Sequence, residues 1–235
     1  MSSVGIYGYG RFGKVLEKIL ANKYPVTVYD TNPSKKVPVN FVAEKELLQQ
    51  KTLFIAVPIN QFESVIQSIS PKLLPETTIF DVCSIKLYPV NVMKKYLSEN
   101  IGIIATHPLF GPDSIDSKER LNFMMHPVRD VAHCYNEWKR FFAEKFNIVE
   151  ITPDEHDRLA AESQGIVHFI ARFLQEAQLH KTPIDTMGYK QLLKLVENNC
   201  NDTWELFSDL QNFNPYSKAM IARLKKAFDT VKSKL

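Results

Sequence analysis

Two segments of the sequence carry polar residues that could act on a substrate, each directly after a short apolar run. The first is Asp81-Val82-Cys83-Ser84-Ile85-Lys86, and the second begins at Thr106-His107-Pro108 and runs to Ser114. An imidazole, with an unperturbed pKa of ~6.5, can act as a general base at neutral pH. Singly, Ser84 could be a helix cap and His107 a hydrogen-bonded core residue. If both runs are neighbouring strands, the two side chains are better explained as a catalytic site at one edge of a sheet.

A second constellation is the G-x-G-x-x-G pattern near the N-terminus, which follows an apolar run and precedes an amphipathic one. The first glycine of such a pattern permits a tight turn, the second permits close approach of a pyrophosphate, and the third permits close packing of the helix on the strand. The helix N-terminus adds N–H donors and a partial positive charge. The pattern predicts a dinucleotide site whose cofactor-binding residues are Gly8, Tyr9, Gly10, Arg11, Phe12 and Gly13.

The second apolar run ends at Asp30, where the adenosine ribose of a dinucleotide is expected. A carboxylate there accepts hydrogen bonds from two ribose hydroxyls and repels a 2′-phosphate, so it favours NAD over NADP. Asp30 could instead be a turn residue in Asp30-Thr31-Asn32-Pro33, and Lys35-Lys36 could attract a phosphate, but we expect NAD. The third run ends at Val57-Pro58, which should pass beside the cofactor; a strand end followed by a turn proline explains these two residues as well.

The elements that must position these residues are alternating strands and helices. Before about residue 152, β-branched runs alternate with amphipathic stretches, as in parallel strands joined by crossover helices. Strands are predicted at 4–7, 26–29, 53–57, 78–82, 101–105 and 148–151, and helices at 11–22, 61–69, 90–98 and 131–144. Most strand runs are nearly all apolar, which indicates a sheet covered on both faces. The fold class predicted for 1–152 is an α/β Rossmann domain with a doubly wound, mostly parallel sheet that binds NAD.

From residue 153 onward the sequence predicts helices alone, beginning at the capping box Thr152-Pro153-Asp154-Glu155. Later helices are expected at 185–198, 202–213 and 216–232. So small a set of helices would leave apolar faces uncovered, and a second copy of the chain could cover them. We therefore expect 153–235 to be a smaller all-helical domain for substrate binding and dimerisation, which makes the protein a homodimer.

Composition and charge exclude several classes. The 29 Lys and Arg against 26 Asp and Glu are too even a mixture for a polyanionic partner, so nucleic acid is not expected. Cys83, Cys134 and Cys200 are far apart and form no C-x-x-C pair, which favours reduced thiols over disulfides or zinc. Neither a signal peptide nor a membrane span of ~20 apolar residues is evident. We expect a cytoplasmic protein with a small-molecule substrate, without metal or membrane contact.

The sequence resembles the prephenate and arogenate dehydrogenase family over nearly its whole length. The resemblance is carried by the glycine pattern, the Asp-x-x-Ser-x-Lys segment, the Thr-His-Pro-Leu-Phe-Gly-Pro-Asp-Ser loop and the Thr-Pro-Asp-Glu-His-Asp segment. The C-terminal half is most similar to the plant arogenate dehydrogenases, through Ser163-Gln164 with His168, through 182–189 and through 195–198. The resemblance implies an NAD(P)-dependent oxidoreductase of tyrosine biosynthesis, acting on a CH–CH donor with decarboxylation.

The resemblance also implies roles for single residues. In the family's reaction a cyclohexadienol loses a hydroxyl proton while a ring carbon gives hydride to nicotinamide, and loss of carbon dioxide makes the ring aromatic. His107 matches the catalytic base. Ser84 matches a serine that hydrogen-bonds the reacting hydroxyl and helps to orient histidine and nicotinamide. His168 matches a second histidine that helps to bind the substrate, and Ser163-Gln164 beside it belongs to the same site.

Two features bear on which substrate is preferred. Many bacterial members have an arginine that pairs with the side-chain carboxylate of the substrate, whereas the corresponding stretch here, 212–217, has none. Gln211, Tyr216 and Lys218 are candidates for that role. Asp202 matches an acidic residue that accompanies preference for arogenate, whose ammonium a carboxylate can pair with; prephenate has a ketone there. Asp202 is equally suited as a helix N-cap. We expect arogenate to be favoured, giving tyrosine, with prephenate to 4-hydroxyphenylpyruvate still possible.

Two other classes fit the outline of the sequence. Imine reductases and hydroxyacid dehydrogenases also join a dinucleotide domain to a helical one, but they do not require His107 in a Thr-His-Pro loop. A non-enzymatic NAD-sensing module would bind the dinucleotide without consuming a substrate and would dock nucleic acid through the basic residues Arg223, Lys225, Lys226, Lys232 and Lys234. Those charges alternate with Leu224, Phe228 and Val231, which favours a solvated helix face instead.

Overall fold

The structure is a computed structural model that describes residues 3–32, 38, 40–112, 115, 118–201 and 203–235. The chain divides into two units, residues 1–153 and 154–235. The first unit contains a sheet with helices, and the described part of the second is helical.

The first unit is built on a seven-stranded sheet. Its strands are β1 (Val4–Tyr7), β2 (Val26–Tyr29), β3 (Thr52–Ile55), β4 (Thr78–Asp81), β5 (Gly102–Pro108), β6 (Asn122–Arg129) and β7 (Asn147–Glu150). The order across the sheet is β2-β1-β3-β4-β5-β6-β7, and every neighbouring pair is parallel except β5 with β6. The strand order reverses at β1, and ligands of such sheets bind at this point, outside the carboxyl ends of the strands. The predicted doubly wound, mostly parallel sheet is confirmed.

Aromatic side chains from the strands and from one helix fill the core of this unit. The helices are α1 (Arg11–Leu20), α2 (Glu44–Leu47), α3 (Ile59–Ile69), α4 (Leu87–Tyr96) and α5 (Tyr135–Ala143). Phe54 of β3 stacks on Phe80 of β4 at 4.5 Å, and Phe123 of β6 stacks on Phe142 of α5 at 4.3 Å. Trp138 of α5 meets both Phe54 and Phe80 edge-on, at 5.4 and 5.2 Å. These contacts bind α5 to three strands, so the carboxyl end of β4 rests on a packed layer.

Strand β6 was not predicted, and its sequence explains why. Between Asn122 and Arg129 it has a single β-branched residue, Val128, next to Pro127. The register of β5 against β6 shifts at this place, because Ile103 pairs with Arg129 while Ile104 pairs with Pro127. A proline, which has no N–H to donate, is tolerated in a sheet at such a bulge. The pattern of residue types alone therefore could not identify the strand.

The predicted start of helix α5 was also wrong. Residue 131 was expected to begin it, whereas α5 begins at Tyr135. The Asp130 carboxylate accepts the backbone N–H groups of Cys134 at 2.9 Å and of Tyr135 at 3.2 Å, and His133 has a positive φ of 50°. Asp130 thus satisfies N–H groups of the first turn, as a capping carboxylate does.

The second unit contains the helices α6 (Pro153–Ala160), α7 (Ile166–Glu176), α8 (Met187–Asn199), α9 (Trp204–Phe213) and α10 (Ser217–Lys232). A π-helical turn, Ala161–Gly165, joins α6 to α7. Such turns are rare in proteins, and those that do occur often lie at functional sites. In the parts of the chain with described coordinates, every helix is too short or too polar to cross a bilayer; the cytoplasmic location stays a prediction.

The packing of the aromatic layer allows us to predict how much stability is lost when a cavity is made in it. Replacing Phe142 with Ala should lower the free energy of unfolding by about 3–5 kcal/mol, since a fully buried ring that contacts several others is lost. Urea denaturation followed by circular dichroism measures this. The matched control is Phe228→Ala on α10, where 59% of the residue is exposed and a change within about 0.5 kcal/mol is expected. Equal losses in both variants would contradict the prediction.

Candidate active site

The glycine pattern occupies the turn from β1 into α1. Gly8 has a φ of +101°, and a Cβ atom there would lie 2.4 Å from the Ala56 carbonyl oxygen, so only glycine fits. A Cβ on Gly13 would lie 2.3 Å from the Gly8 carbonyl oxygen, which shows how closely α1 packs on the turn. A Cβ on Gly10, in contrast, would meet nothing within 4 Å. The backbone at Gly10 therefore borders open space, as expected where a phosphate approaches.

The N-terminus of α1 offers further donors to an anion. Gly10 is its N-cap and has no side chain that could cap the helix, and its first turn, Arg11 to Lys14, contains no acidic residue. The N-cap and the first turn thus supply no carboxylate that would neutralise the N–H groups and the partial positive charge of the helix. These features fit the pyrophosphate of a dinucleotide.

Asp30, directly after β2, lies against the same turn. Its Oδ2 atom accepts the Tyr9 backbone N–H at 2.7 Å and its Oδ1 atom accepts that of Asn32 at 2.8 Å. The sequence therefore placed Asp30 correctly beside the glycine turn, and the turn role considered for it is also present. A carboxylate has about four acceptor positions, so these two hydrogen bonds still leave capacity for ribose hydroxyls. Lys35-Lys36 lies outside the described residues.

Val57-Pro58 follows β3 on the other side of the glycine turn. The Ala56 N–H donates to the Tyr7 carbonyl at 2.7 Å, and the Cγ1 atom of Val57 would be 3.1 Å from a Cβ on Gly8. Pro58 is the N-cap of α3. The structure thus brings these residues beside the glycine turn, at the point where the strand order reverses.

Ser84 and His107 come to the same edge of the sheet. Strands β4 and β5 are parallel neighbours with Asp81 opposite Ala105; Ser84 follows β4 and His107 lies near the carboxyl end of β5. His107 is 3% exposed, whereas Ser84 is half-buried. Burial raises the pKa of the intervening Cys83 thiol, so this cysteine stays protonated and is a poor nucleophile.

A buried ion pair lies beneath these two residues. Lys86 Nζ donates to Asp81 Oδ1 and to the Thr106 carbonyl oxygen, and the Thr106 hydroxyl donates to the Asp81 carbonyl oxygen. All three residues are fully buried. Burial raises the pKa of Asp81, and the Lys86 ammonium acts in the opposite direction. The pair ties the end of β4, the start of α4 and the end of β5 together, directly beside Ser84 and His107.

The loop after His107 packs against helix α1, which follows the glycine turn. The Phe110 ring lies 6.3 Å from that of Phe12 in α1 and stacks on Phe146 at 5.0 Å. The Leu109 N–H donates to the Asn122 carbonyl at 3.1 Å. Asp113 and Ser114, further along the loop, lie outside the described residues. The His107 strand end and the glycine turn are therefore held in one packed assembly.

In the helical unit, Ser163, Gln164 and His168, which were assigned to substrate binding, lie on the π-helical turn or within one turn after it. Ser163 and Gln164 belong to it, and the Ser163 hydroxyl donates to the Leu159 carbonyl at 2.7 Å. His168 is half-buried on α7. The Tyr216 hydroxyl donates to Asp154 Oδ1 at 2.6 Å, which raises the pKa of Tyr216. Asp202 lies outside the described residues.

Other residues named from the sequence, or missed there, can be placed as well. Lys218 is exposed on α10, and the polar atoms of the Gln211 side chain are buried. Arg172, which the sequence analysis did not single out, is buried on α7, four residues after His168. Over the ranges that have coordinates, no three or more His, Cys, Asp or Glu side chains cluster as metal ligands would.

A parallel sheet with this strand order and a glycine turn at the reversal point defines a Rossmann-type nucleotide-binding fold. The family described as prephenate dehydrogenase, nucleotide-binding domain, matches residues 20–129, and the TYRAAT1-like, C-terminal domain family matches 173–235. Arogenate dehydrogenase 1, chloroplastic, of Arabidopsis thaliana is 33% identical over 99% of this chain, and arogenate dehydrogenase 2 of the same plant is 32% identical over 99%. The chain belongs to the prephenate/arogenate dehydrogenase family, as the sequence predicted.

The relatives differ in how much of their length is matched. The chain spans 39% of arogenate dehydrogenase 1 and 69% of arogenate dehydrogenase 2. Among solved structures, prephenate dehydrogenase from A. aeolicus in complex with hydroxyphenyl propionate and NAD+ has a TM-score of 0.78 at 17% identity. That similarity covers 99% of this chain and 90% of the other, and it shows the shared fold.

Two variants of the glycine turn separate its role in packing from its role in dinucleotide binding. Gly13→Ala should destabilise the first unit, because its Cβ would collide with the Gly8 carbonyl oxygen, whereas Gly10→Ala should leave the melting temperature unchanged. Gly10→Ala should instead weaken dinucleotide binding about tenfold or more, since a methyl group would occupy the space that a phosphate needs. Thermal denaturation and NADH fluorescence titration measure the two effects. A Gly10→Ala protein that binds NADH like the parent would show that the phosphate lies elsewhere.

The buried ion pair predicts an asymmetric response to mutation. Lys86→Met should lower the free energy of unfolding by about 3–5 kcal/mol, because the Asp81 carboxylate would lose its buried counter-ion. The double variant Asp81→Asn, Lys86→Met should recover most of that loss, since neither group then carries a buried charge. Urea denaturation at neutral pH decides the matter. If the double variant is no more stable than Lys86→Met, the loss is due to packing and not to charge.

Proposed function

We propose that this chain is an NAD-dependent dehydrogenase that oxidatively decarboxylates arogenate to tyrosine, with prephenate as a possible second substrate. Membership of the prephenate/arogenate dehydrogenase family supports this, as do the names of the relatives. The observation that carries the proposal is the arrangement of His107 and Ser84. Both lie at the carboxyl edge of neighbouring strands, in the packed assembly that includes the glycine turn.

The proposed cofactor site consists of the glycine turn, the N-terminus of α1, Asp30 and Val57-Pro58. When bound there, NAD supplies the nicotinamide that accepts hydride from the substrate. The backbone at Gly10 and the N–H groups of α1 would hold the pyrophosphate. The Asp30 carboxylate would accept hydrogen bonds from the ribose, and its charge disfavours the 2′-phosphate of NADP.

In this proposal His107 is the general base. A neutral imidazole would take the proton of the ring hydroxyl as hydride leaves the carbon that bears it, and the Ser84 hydroxyl would hydrogen-bond the reacting oxygen. The near-complete burial of His107 limits access of water, and the ion pair beneath it holds its strand in place. Loss of carbon dioxide then makes the ring aromatic.

The helical unit would contribute substrate-binding residues and would bind a second copy of the chain. Ser163, Gln164, His168, Tyr216 and Asp202 are the proposed substrate-binding residues. The homodimer is supported by large apolar side chains that this unit exposes, such as Ile184 at 87%, Met187 at 73% and Trp204 at 60%. A second copy would cover faces of this kind.

The role of His107 is tested by His107→Asn, which keeps a polar side chain of similar size but cannot act as the base. With arogenate and NAD we expect kcat to fall by about 10²–10⁴, while NADH binding and melting temperature stay as in the parent. Turnover is followed through the near-ultraviolet absorbance of NADH. Unchanged turnover in His107→Asn would show that His107 is not the base, and it would remove the feature that separates this chain from the imine reductases and hydroxyacid dehydrogenases, which need no histidine here.

The substrate preference is tested by comparing kcat/KM for arogenate and prephenate, with NAD and with NADP, in the parent and in Asp202→Asn. If the Asp202 carboxylate pairs with the ammonium of arogenate, its loss should reduce discrimination by on the order of 1–3 kcal/mol. The kcat/KM for prephenate should change little, because a ketone cannot pair with a carboxylate. An unchanged ratio would show that the Asp202 carboxylate does not recognise the ammonium. The alternative role of helix cap is filled by Thr203, whose hydroxyl accepts the Leu206 N–H at 3.2 Å.

A non-enzymatic NAD sensor is the second candidate, and the same assay separates it from the enzyme. A sensor would bind NADH but would produce none from either substrate. The placement of a histidine and a serine at the edge of the sheet favours the enzyme, because dinucleotide binding alone requires neither residue.

A further inference from the structure

The helical unit contains a buried cation that the proposed reaction does not use. Arg172 on α7 is 9% exposed. Its guanidinium carbon lies 5.8 Å from the centre of the Trp204 ring and 5.6 Å from that of Phe207, both on α9. One of its Nη atoms donates to Gln175 Oε1 at 3.0 Å. A guanidinium has five N–H donors in a planar fork that matches a carboxylate. The two rings and Gln175 are among the contacts that position the guanidinium.

A buried amide lies on the same side of α9. Gln211 follows Phe207 by four residues, so the two side chains share a face of the helix. Its Nε2 and Oε1 atoms are both buried, and neither has a hydrogen-bond partner within the part of the chain that is described. Burying both ends of an amide without partners is costly, so these atoms call for a ligand that both accepts and donates. Nε2 needs an acceptor, and Oε1 needs a donor.

The head group of an α-amino acid meets both requirements. Its carboxylate can accept from the Arg172 fork and from Gln211 Nε2, and its ammonium can donate to Gln211 Oε1. Two carboxylates on α9, Glu205 and Asp209, add negative charge that suits an ammonium; burial, with Glu205 nearby, raises the pKa of Asp209. A keto acid has a carboxylate but no ammonium, so it would leave Oε1 unsatisfied.

The position of His168 connects this pair to the substrate. His168 precedes Arg172 by four residues on α7, so the two lie on one face of the helix, one turn apart. We propose that Arg172 and Gln211 form the subsite for the amino-acid head group of the substrate and that Gln211 selects for its ammonium. This proposal rests on the proposed function, since it takes arogenate as the substrate.

Kinetics of two variants test the subsite. Gln211→Leu should raise the KM for arogenate about tenfold or more and should change the KM for prephenate less. The KM for NAD should stay unchanged, and the melting temperature should be at least as high as that of the parent protein. Arg172→Lys keeps the charge but loses the fork, so it should raise the KM for both substrates. The control is Arg223→Lys, whose side chain is 56% exposed in the same unit and should behave like the parent.

A purely structural role gives the opposite pattern. An apolar side chain in place of a buried, unpartnered amide should then stabilise the helices without any effect on KM. If Gln211→Leu and Arg172→Lys both keep the parent's KM for arogenate, the subsite is overturned.

Direct binding makes the test independent of turnover. Trp204 is in contact with Arg172, and the second of the two tryptophans, Trp138, is buried in the other unit. Under selective excitation of tryptophan, tyrosine should change the fluorescence of Trp204, and tyramine and 3-(4-hydroxyphenyl)propionate, which each lack one half of the head group, should bind at least about tenfold more weakly. Gln211→Leu and Arg172→Lys should weaken the binding of tyrosine to a similar degree.

The two proposals can fail separately. If neither arogenate nor prephenate is consumed but tyrosine binds and the two variants weaken it, the proposed function is wrong and the amino-acid subsite stands. If arogenate is consumed and tyrosine binds equally well to the parent and to both variants, the dehydrogenase stands and the subsite is wrong.

Discussion

The ion pair between Asp81 and Lys86 is the interaction on which the arrangement of the candidate site depends. Taking both charges out of water is costly, and only close pairing with further hydrogen bonds offsets that cost. Here the pairing recruits Thr106, so a strand end, a helix start and the neighbouring strand share one buried network. Because Ser84 and His107 lie within three residues of network members, their backbone positions follow from it. A polar core at this place restricts the geometry more than apolar packing would.

The glycine turn depends on a second constraint, which is the space between backbones. Gly8 lies between the Tyr29 carbonyl oxygen, which accepts its N–H at 2.8 Å, and the Ala56 carbonyl oxygen, which leaves no room for a Cβ. Three adjacent strand ends thus meet at one residue. The backbone at Gly10, in contrast, borders open space, where a phosphate can approach. One side of the turn thus packs against neighbouring strands, and the other side is free to bind a ligand.

The helical unit shows a different balance between stability and binding. Its buried polar groups include the His156 and Asp157 pair, joined at 2.8 Å, with Asn214 donating to the Asp157 carbonyl at 2.8 Å. That network ties the start of α6 to the turn before α10. Arg172 and Gln211 are polar too, but Gln211 has both amide atoms buried without a described partner. Natural cores rarely leave such atoms unsatisfied without a functional reason, which sets this pair apart from the structural network.

The sequence by itself determined the features that depend on local chemistry. The glycine spacing, the apolar runs, the helical second half and the family all follow from neighbouring residues, and the structure and the relatives confirm them. Ser84 and His107 could be named because each directly follows, or ends, a recognisable apolar run. Asp30 could be placed for the same reason.

Only the tertiary structure decided the rest, because it depends on residues far apart in the chain. Strand β6, with its proline, exists because β5 pairs with it across a bulge. Lys86, the lysine in Asp-x-x-Ser-x-Lys, is a fully buried partner of Asp81, and its position in the sequence does not show this. In the sequence Arg172 looks like an ordinary helical residue. Only the structure shows that two aromatic rings of α9 pack against it. Burial arises from packing between distant segments. The sequence alone therefore does not show which charged side chains are buried or which groups they contact.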